Sequence, residues 1–398
     1  MRPDYRYVVL AVAIFAFMQA HLHRMAFAPL IPRFVADLSL TYAAAGAIQT
    51  AYFVSYTLAQ VPIGLVADRW GARRVMIASM AILAAGTLAF AASQGYGQAL
   101  AARLVVGLGA AAIWVPNMFL VTAWFPPEER GRATGLMSAG GAAGGTLSLI
   151  LVPWLAGYWG WRTAYGVLTV PALIALALVL VLLPRASAAA PPARRRGGTL
   201  RGVLTSRAVW VLNLSALFAY GGSFSFITFL PAYLVKTMAL SETQAGVITS
   251  LLTGGTVVSW PLAGMASDRL GLRKPIYLFS QTASVLVCVA FATIVGALGP
   301  HGAAAFALVA GFLIGGTILP FVMIVELFPA AQAATAAGVT NAATFLGGML
   351  VPILLGRVLD VTDSFAAAFL VAAAVQAVAL VFGLFLTETG RRSYTAGR

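Results

Sequence analysis

The stretch Gly64-Leu-Val-Ala-Asp68-Arg69-Trp-Gly71-Ala-Arg73-Arg74 returns 200 residues later as Gly264-Met-Ala-Ser-Asp268-Arg269-Leu-Gly271-Leu-Arg273-Lys274. One charged turn between apolar segments therefore occurs twice. The same offset carries Leu40, Ala45 and Gly46 onto Leu240, Ala245 and Gly246, so the match runs back through the preceding segment and the chain reads as an internal duplication.

Around this pair the chain is 61% hydrophobic and only 9% charged, with a mean hydropathy of +0.92. Soluble domains need about a quarter of their residues charged. Here apolar runs of about 20 residues follow one another, the length at which a helix crosses a hydrocarbon core about 30 Å thick. Backbone groups in lipid must bond within their own segment, and runs this long and uniform lack the alternation of barrel strands. The pattern predicts an all-α integral membrane protein with spans near 7–35, 44–67, 75–94, 97–122, 133–157 and 163–184, then 208–235, 244–266, 275–298, 303–325, 334–356 and 364–387. These twelve helices make an N-terminal six-helix half, residues 1–184, and a C-terminal half with a short tail, residues 208–398. Residues 185–207, with an Ala-Ala-Ala-Pro-Pro run and Arg194, Arg195 and Arg196, are too polar and too rich in Pro and Gly to insert, and read as a cytoplasmic linker. The first apolar run is longer than a signal-peptide core and leads directly into span 2, so no cleavable signal is expected.

The basic residues set the orientation. Outside the spans, all Lys and Arg except Arg33, Arg162, Lys236 and Arg357 fall on the side of the N-terminus. Both termini are therefore expected in the cytoplasm, in the inner membrane of a bacterium. The net charge of +14 is accounted for by this asymmetry and by anionic lipid headgroups, with no nucleic acid as partner. The single Cys288, inside an apolar span, excludes a disulfide framework.

Twelve spans in two halves, with Gly-x-x-x-Asp-Arg-x-Gly-x-Arg-Arg/Lys after spans 2 and 8, resemble the major facilitator superfamily of secondary transporters. The run Arg103-Leu-Val-Val-Gly107-Leu-Gly109-Ala-Ala111 in span 4 is similar to that superfamily's Arg-x-x-x-Gly-x-Gly-x-Ala motif. Phe125-Pro126 and Gly144-Gly145 also recur as Phe328-Pro329 and Gly347-Gly348. The resemblance implies alternating access, with the two halves rocking about a midplane site. It also implies a conformational role for the hairpins, in which Gly64, Asp68, Arg69, Gly71 and Arg73, with Gly264, Asp268, Arg269, Gly271 and Arg273, act as latches rather than substrate contacts.

Charge inside hydrocarbon costs at least about 2.5 kcal/mol at a helix centre, which makes every intramembrane cation a candidate. His21 and Arg24 lie three residues apart on one face of span 1, while His23 points elsewhere. Arg24 is expected to grip the substrate through its planar fork, and His21 to join it. Arg103 belongs to the span 4 motif and reads as structural or coupling-related. Because spans 1, 4, 7 and 10 line the cavity in the superfamily, Trp114 and Asn117 of span 4 and Tyr220, Ser223 and Phe224 of span 7 are further expected walls.

The eleven carboxylates all fall at termini, loops or span ends, none at mid-membrane. Transporters of cationic drugs in the superfamily rely on a buried acid, and span 5 carries Gly140-Gly141-Ala-Ala-Gly144-Gly145 without the proline of the antiporter signature. The paired cavity arginines of nitrate porters are also missing. A positive cavity without a negative group suits an anion, and Arg24 with Trp124-Phe125-Pro126 and Glu129-Arg130-Gly131 is similar to the anion:cation symporter branch. The expected function is secondary transport of a small organic anion bearing carboxylate or phosphate, as proton symport with His21 as carrier or as anion exchange, by a monomer in contact with membrane lipids. Drug or amphiphile efflux, lipid flipping and a non-transporting sensor are the alternatives. No nucleophile motif, metal cluster or phosphate loop is present, so neither an enzyme nor a cofactor is expected.

Overall fold

The computed structural model describes residues 5–184, 203–328 and 330–390, apart from the side chains at 60, 61, 64, 65, 68, 119, 122, 127, 128, 131 and 330–335. Among the described residues there are helices and turns but no strand. Ten helical segments are long and apolar enough to cross a membrane: Tyr5–Asp37, Ala72–Ala91, Tyr96–Met118, Arg132–Leu182, Arg207–Met238, Glu242–Leu270, Lys274–Thr293, Val295–Leu313, Ala336–Thr362 and Phe365–Leu384. The 51-residue segment Arg132–Leu182 holds spans 5 and 6, which meet where Gly160 takes φ +77°. Counting these two, and Tyr42–Trp70 as span 2, gives the twelve helices of a multi-pass integral membrane protein. The expected linker lies outside the described residues up to residue 202.

Three spans differ from the continuous helices expected. Span 1 is a helix Tyr5–Met25, a 3-10 turn Ala28–Leu30 and a short helix Ile31–Asp37, because Pro29 and Pro32 remove ladder donors. Span 4 divides into Tyr96–Ala111 and Trp114–Trp124, with Pro116 early in the second piece. Span 10 divides in the corresponding place, Gly299–Leu313 and Pro320–Glu326 flanking a 3-10 turn Gly315–Ile318. Span 9 also stops short, at Thr293.

The duplication is visible in local geometry. Gly71 and Gly271 take φ of +79° and +66° between the helices of the two hairpins, a conformation that would strain any side chain. One helix earlier, Ala44 N donates to Thr41 Oγ1 at 3.1 Å, and Gln244 N donates to Ser241 Oγ at 3.2 Å. The second cap is a full capping box, since Ser241 N also donates to Gln244 Oε1.

The chain packs as two compact units, Met1–Leu40 with Ala47–Ala193, and Thr41–Gly46 with Arg194–Arg398. In the first, span 1 lies along span 5 and span 3 against span 4; in the second, span 7 lies along spans 11 and 12, and span 8 along span 10. Without a hydrophobic force between helices in lipid, such seams depend on close backbone approach. Gly144 lies against Met18 O at the span 1–5 seam, and Gly347 against Leu217 O at the span 7–11 seam. In span 4, a Cβ on Gly107 would collide with Tyr52 O, and one on Gly109 with the Leu83 backbone. The motif glycines therefore bring span 4 against spans 2 and 3.

Candidate functional site

The polar core of the first unit is built around two guanidinium groups. Arg103, 0% exposed, donates from Nη1 to His23 O at 3.0 Å and from Nη2 to Gln49 Oε1 at 2.7 Å. Its carbon also stands over the rings of Phe27, Tyr52 and Phe90, 5.1–6.0 Å from their centroids. The charge is thus shared among spans 1, 2, 3 and 4, the pairing and π contact that a buried cation requires. Gln49 completes the link by donating from Nε2 to Arg24 O at 3.4 Å.

Arg24, 7% exposed, directly follows His23, whose carbonyl holds Arg103. Its guanidinium stands over three rings of span 2, Tyr52 at 5.6 Å, Phe53 at 5.7 Å and Tyr56 at 5.0 Å. Tyr52 and Tyr56 are stacked at 5.9 Å, so Tyr52 is the common face of both guanidiniums. Stacked aromatic faces hold a planar guanidinium in orientation.

The other expected first-unit residues pack around span 1. His21 is half-buried, edge-on to Phe17 at 4.6 Å, with Nδ1 3.4 Å from Phe17 O. His23 is fully buried and holds Gln19 O through Nδ1 at 2.8 Å, and its backbone carbonyl is the acceptor for Arg103. Trp114 lies 5.1 Å from Phe17. Asn117 is fully buried and donates to Ala13 O at 3.0 Å, so it ties span 4 to span 1. The glycine run of span 5 is the bed for the same face, Gly140 under Ile14 and Gly141 under Phe17 and His21.

The second unit contains no buried cation among the described residues of its spans, and its polar core is neutral. Tyr220 stacks on Phe224 at 5.6 Å and meets Phe345 edge-on at 5.8 Å. Ser223 turns instead toward spans 9 and 12, accepting from Gln376 Nε2 at 2.6 Å, with Ser284 Oγ 3.5 Å away. Ser223, Ser284 and Gln376 border a small, largely apolar void, with room for about one water molecule, whose wall includes Cys288.

The two hairpins divide in what can be described. Gly64 and Asp68 lie outside the described side chains, and Arg69 is exposed. Arg73 donates to Leu183 O at 2.8 Å and Leu180 O at 2.7 Å, capping the last turn of span 6. In the second hairpin Gly264 is open and Arg269 exposed, while Asp268 pairs with Arg273 at 2.6 Å. Arg273 also reaches Glu326 at 2.8 Å, at the end of span 10. Glu388, after span 12, accepts from Arg273 N at 2.8 Å and Lys274 N at 3.1 Å. Burial works to raise the Glu388 carboxyl, but the backbone N–H groups of Arg273, Gly390, Lys274 and Thr389 outweigh it and hold it below the usual carboxylate range.

Sequence reading missed the aromatic platform and the buried glutamines Gln19, Gln49, Gln281 and Gln376. The signal for the first was Gln49, Tyr52 and Tyr56, which share one helical face of span 2 at spacings of three and four. For the second it was the rule that amides inside a span need a partner on another helix.

A duplicated six-helix unit, with buried cations in one copy and a neutral polar core in the other, is consistent with a membrane transporter. The model of the Major Facilitator Superfamily matches residues 13–238 and 212–397, and the chain belongs to that superfamily. It is 27% identical over 345 residues to a probable nitrate/nitrite transporter of Mycobacterium tuberculosis, covering 84% of this chain and 85% of the relative. Over 385 residues it is 25% identical to the hexuronate transporter of Bacillus subtilis, with 91% of each chain covered. A probable sulfoacetate transporter of Cupriavidus necator is 24% identical over 418 residues, covering 96% and 94%. Among solved structures, a bacterial homologue of the human lysosomal transporter Spinster, inward-facing and occupied, shares the fold with a TM-score of 0.81 at 15% identity over 97% of each chain. The protein is a transporter, not an enzyme.

Proposed function

We propose that the protein carries a small organic anion bearing a carboxylate or phosphate group across a bacterial inner membrane, with both termini in the cytoplasm, by alternating access of its two halves. The observation that carries this reading is Arg24, a cation within span 1 seated on Tyr52, Phe53 and Tyr56. A guanidinium is a planar fork whose geometry suits a bidentate oxyanion. Arg103 supports it from behind, engaged with His23 O and Gln49. The similarity to transporters named for hexuronate and sulfoacetate fits the same chemistry. The ion pairs Arg6–Glu129, Arg162–Asp37 and Arg273–Glu326 lie at span ends, leaving the acid of a cationic-drug exporter without a counterpart at mid-span.

His21, beside Arg24 on span 1, is the proposed proton carrier if transport is symport. The hairpin residue Asp68 is proposed to bias the cycle, and the carrier to act as a monomer. The test is uptake of radiolabelled glucuronate, sulfoacetate and nitrate into proteoliposomes, with and without an imposed pH gradient. Anion uptake that rises with an inward proton gradient, and is uncoupled by His21→Gln, supports symport. Uptake that ignores the gradient and needs internal anion makes His21 structural and the protein an exchanger. Uptake of none of the three by wild-type protein removes the anion reading.

A further inference from the structure

Span 1 ends as an α-helix at Met25 and resumes as one only at Ile31. A helix that stops inside a membrane leaves its last carbonyls open and gathers the negative end of its dipole there. Pro29 helps to keep this end open, since it has no N–H to offer Met25 O. Leu22 O is met within the chain by Ala26 N at 3.0 Å. The next two carbonyls are met by side chains of other helices. His23 O accepts from Arg103 Nη1 of span 4 at 3.0 Å, and Arg24 O accepts from Gln49 Nε2 of span 2 at 3.4 Å. One turn back, Ala20 O accepts from the Tyr52 hydroxyl at 3.2 Å.

Arg103 also reaches across the break. Its guanidinium carbon stands 5.2 Å from the ring of Phe27, the second residue beyond Met25, and Phe27 stacks at 4.8 Å on Phe34 of the resumed helix. One side chain thus holds both pieces of span 1. No carboxylate pairs with Arg103 among the described residues, so its charge is answered by a helix carbonyl end, an amide oxygen and ring faces. A guanidinium only donates and a backbone carbonyl only accepts, which fixes the Gln49 amide between them: Oε1 toward Arg103 Nη2 at 2.7 Å, Nε2 toward Arg24 O. Gln49 therefore ties the capped end to Arg24. Tyr52 and Tyr56, on the same face of span 2, lie under the Arg24 guanidinium, so one helix face sets both its backbone and its side chain.

Open carbonyls at the end of a broken membrane helix are the kind of place where secondary transporters seat a coupling cation. We propose that Arg103 is that cation in tethered form: with Gln49 it caps the broken end of span 1 and positions Arg24 for the anion, so that transport needs no sodium. Both are positioning residues and neither touches substrate. The inference deepens the anion reading above and rests on it.

The test uses full-length protein in proteoliposomes with labelled glucuronate, sulfoacetate and nitrate as probes. Wild-type uptake is expected to be equal in sodium and in choline medium. Arg103→Ala raises KM for the transported anion at least about tenfold, the worth of a hydrogen bond from a charged group. Millimolar guanidinium restores most of that loss by refilling the vacated place, whereas tetramethylammonium, a cation without N–H donors, does not. Gln49→Leu raises KM about fivefold with Vmax little changed, the worth of one neutral hydrogen bond. Wild-type anion uptake that requires sodium, a folded Arg103→Ala that guanidinium does not restore, or a KM indifferent to Gln49→Leu each overturns the inference while the anion reading stands. A wild type that carries none of the probes overturns both. If Arg103→Ala does not fold, the sodium comparison and Gln49→Leu still decide the matter.

Discussion

The first unit buries two guanidiniums and one histidine, His23, and the second buries none of these, among the described residues, but holds Gln281, Gln376, Ser223 and Ser284. Both descend from one repeat, as their hairpins and helix caps show. What has been kept is the hardware of turns and seams, where only glycine or a capping oxygen serves. What has diverged is the polarity of the core, cationic in one copy and neutral in the other. Among the described residues neither core buries a carboxylate.

The contrast is sharpest in stability. Arg103→Met leaves His23 O and Gln49 Oε1 without their donor, and loss of a buried charge network costs about 3–5 kcal/mol. Gln281→Met removes neutral contacts worth about 1 kcal/mol each. Thermal melts in detergent should therefore show a much larger drop in Tm for Arg103→Met. Equal drops would mean that the two cores are energetically equivalent. Transport is next: Arg24→Ala is expected to lose at least about thirtyfold in uptake, from the 2–5 kcal/mol typical of a truncated charge contact. Arg24→Lys should fail nearly as badly, because a point charge lacks the fork. Wild-type flux in both, at matched reconstitution, would take Arg24 out of the site.

Smaller effects separate the two hairpins. Asp68→Asn should slow turnover several-fold while leaving equilibrium binding within about tenfold, as expected of a group that biases two states without touching ligand. Spectroscopic distances across the cytoplasmic ends would shift with it. Unchanged distances and turnover leave Asp68 with a topological role. Asp268 is engaged with Arg273 inside its own unit, so Asp268→Asn should change turnover less. The smallest expectation concerns acid. Glu388 is held below the ordinary carboxylate range, so its contribution is present above the unfolded-state value and is lost as pH falls through the lower folded value. Hydrogen exchange at Thr389 and Gly390 should accelerate below about pH 4 and hold steady above it. No acceleration there would remove Glu388 from the brace.

Span number and repeat were legible because run length and a 200-residue offset are properties of the string alone. The breaks in spans 1, 4 and 10 were not, since Pro29, Pro116 and Pro320 lie within runs long enough to be read as single spans. Arg24, His21 and Arg103 stood out because charge in hydrocarbon is costly. Their partners did not: Tyr52, Phe53 and Tyr56 look like ordinary packing until a guanidinium lies over them. Ser223 was read as a cavity wall, but its hydroxyl accepts from Gln376, 153 positions away, beyond the reach of any local pattern.

Arg73 serves twice in the life of the molecule. In the proposed orientation, its charge helps retain the turn after span 2 on the cytoplasmic side while the chain is being inserted. Once the unit has assembled, the same guanidinium closes the open carbonyls at the end of span 6, more than 100 residues later in synthesis. Lys274 does the corresponding work at Leu384 O in the second unit. Biogenesis and final architecture thus share an atom group, so a charge-neutral replacement at either position would blur insertion and assembly together. Pulse-labelling of topology beside a folding assay would separate the two, with Lys at position 73 as the variant that keeps the insertion signal while giving up the double cap.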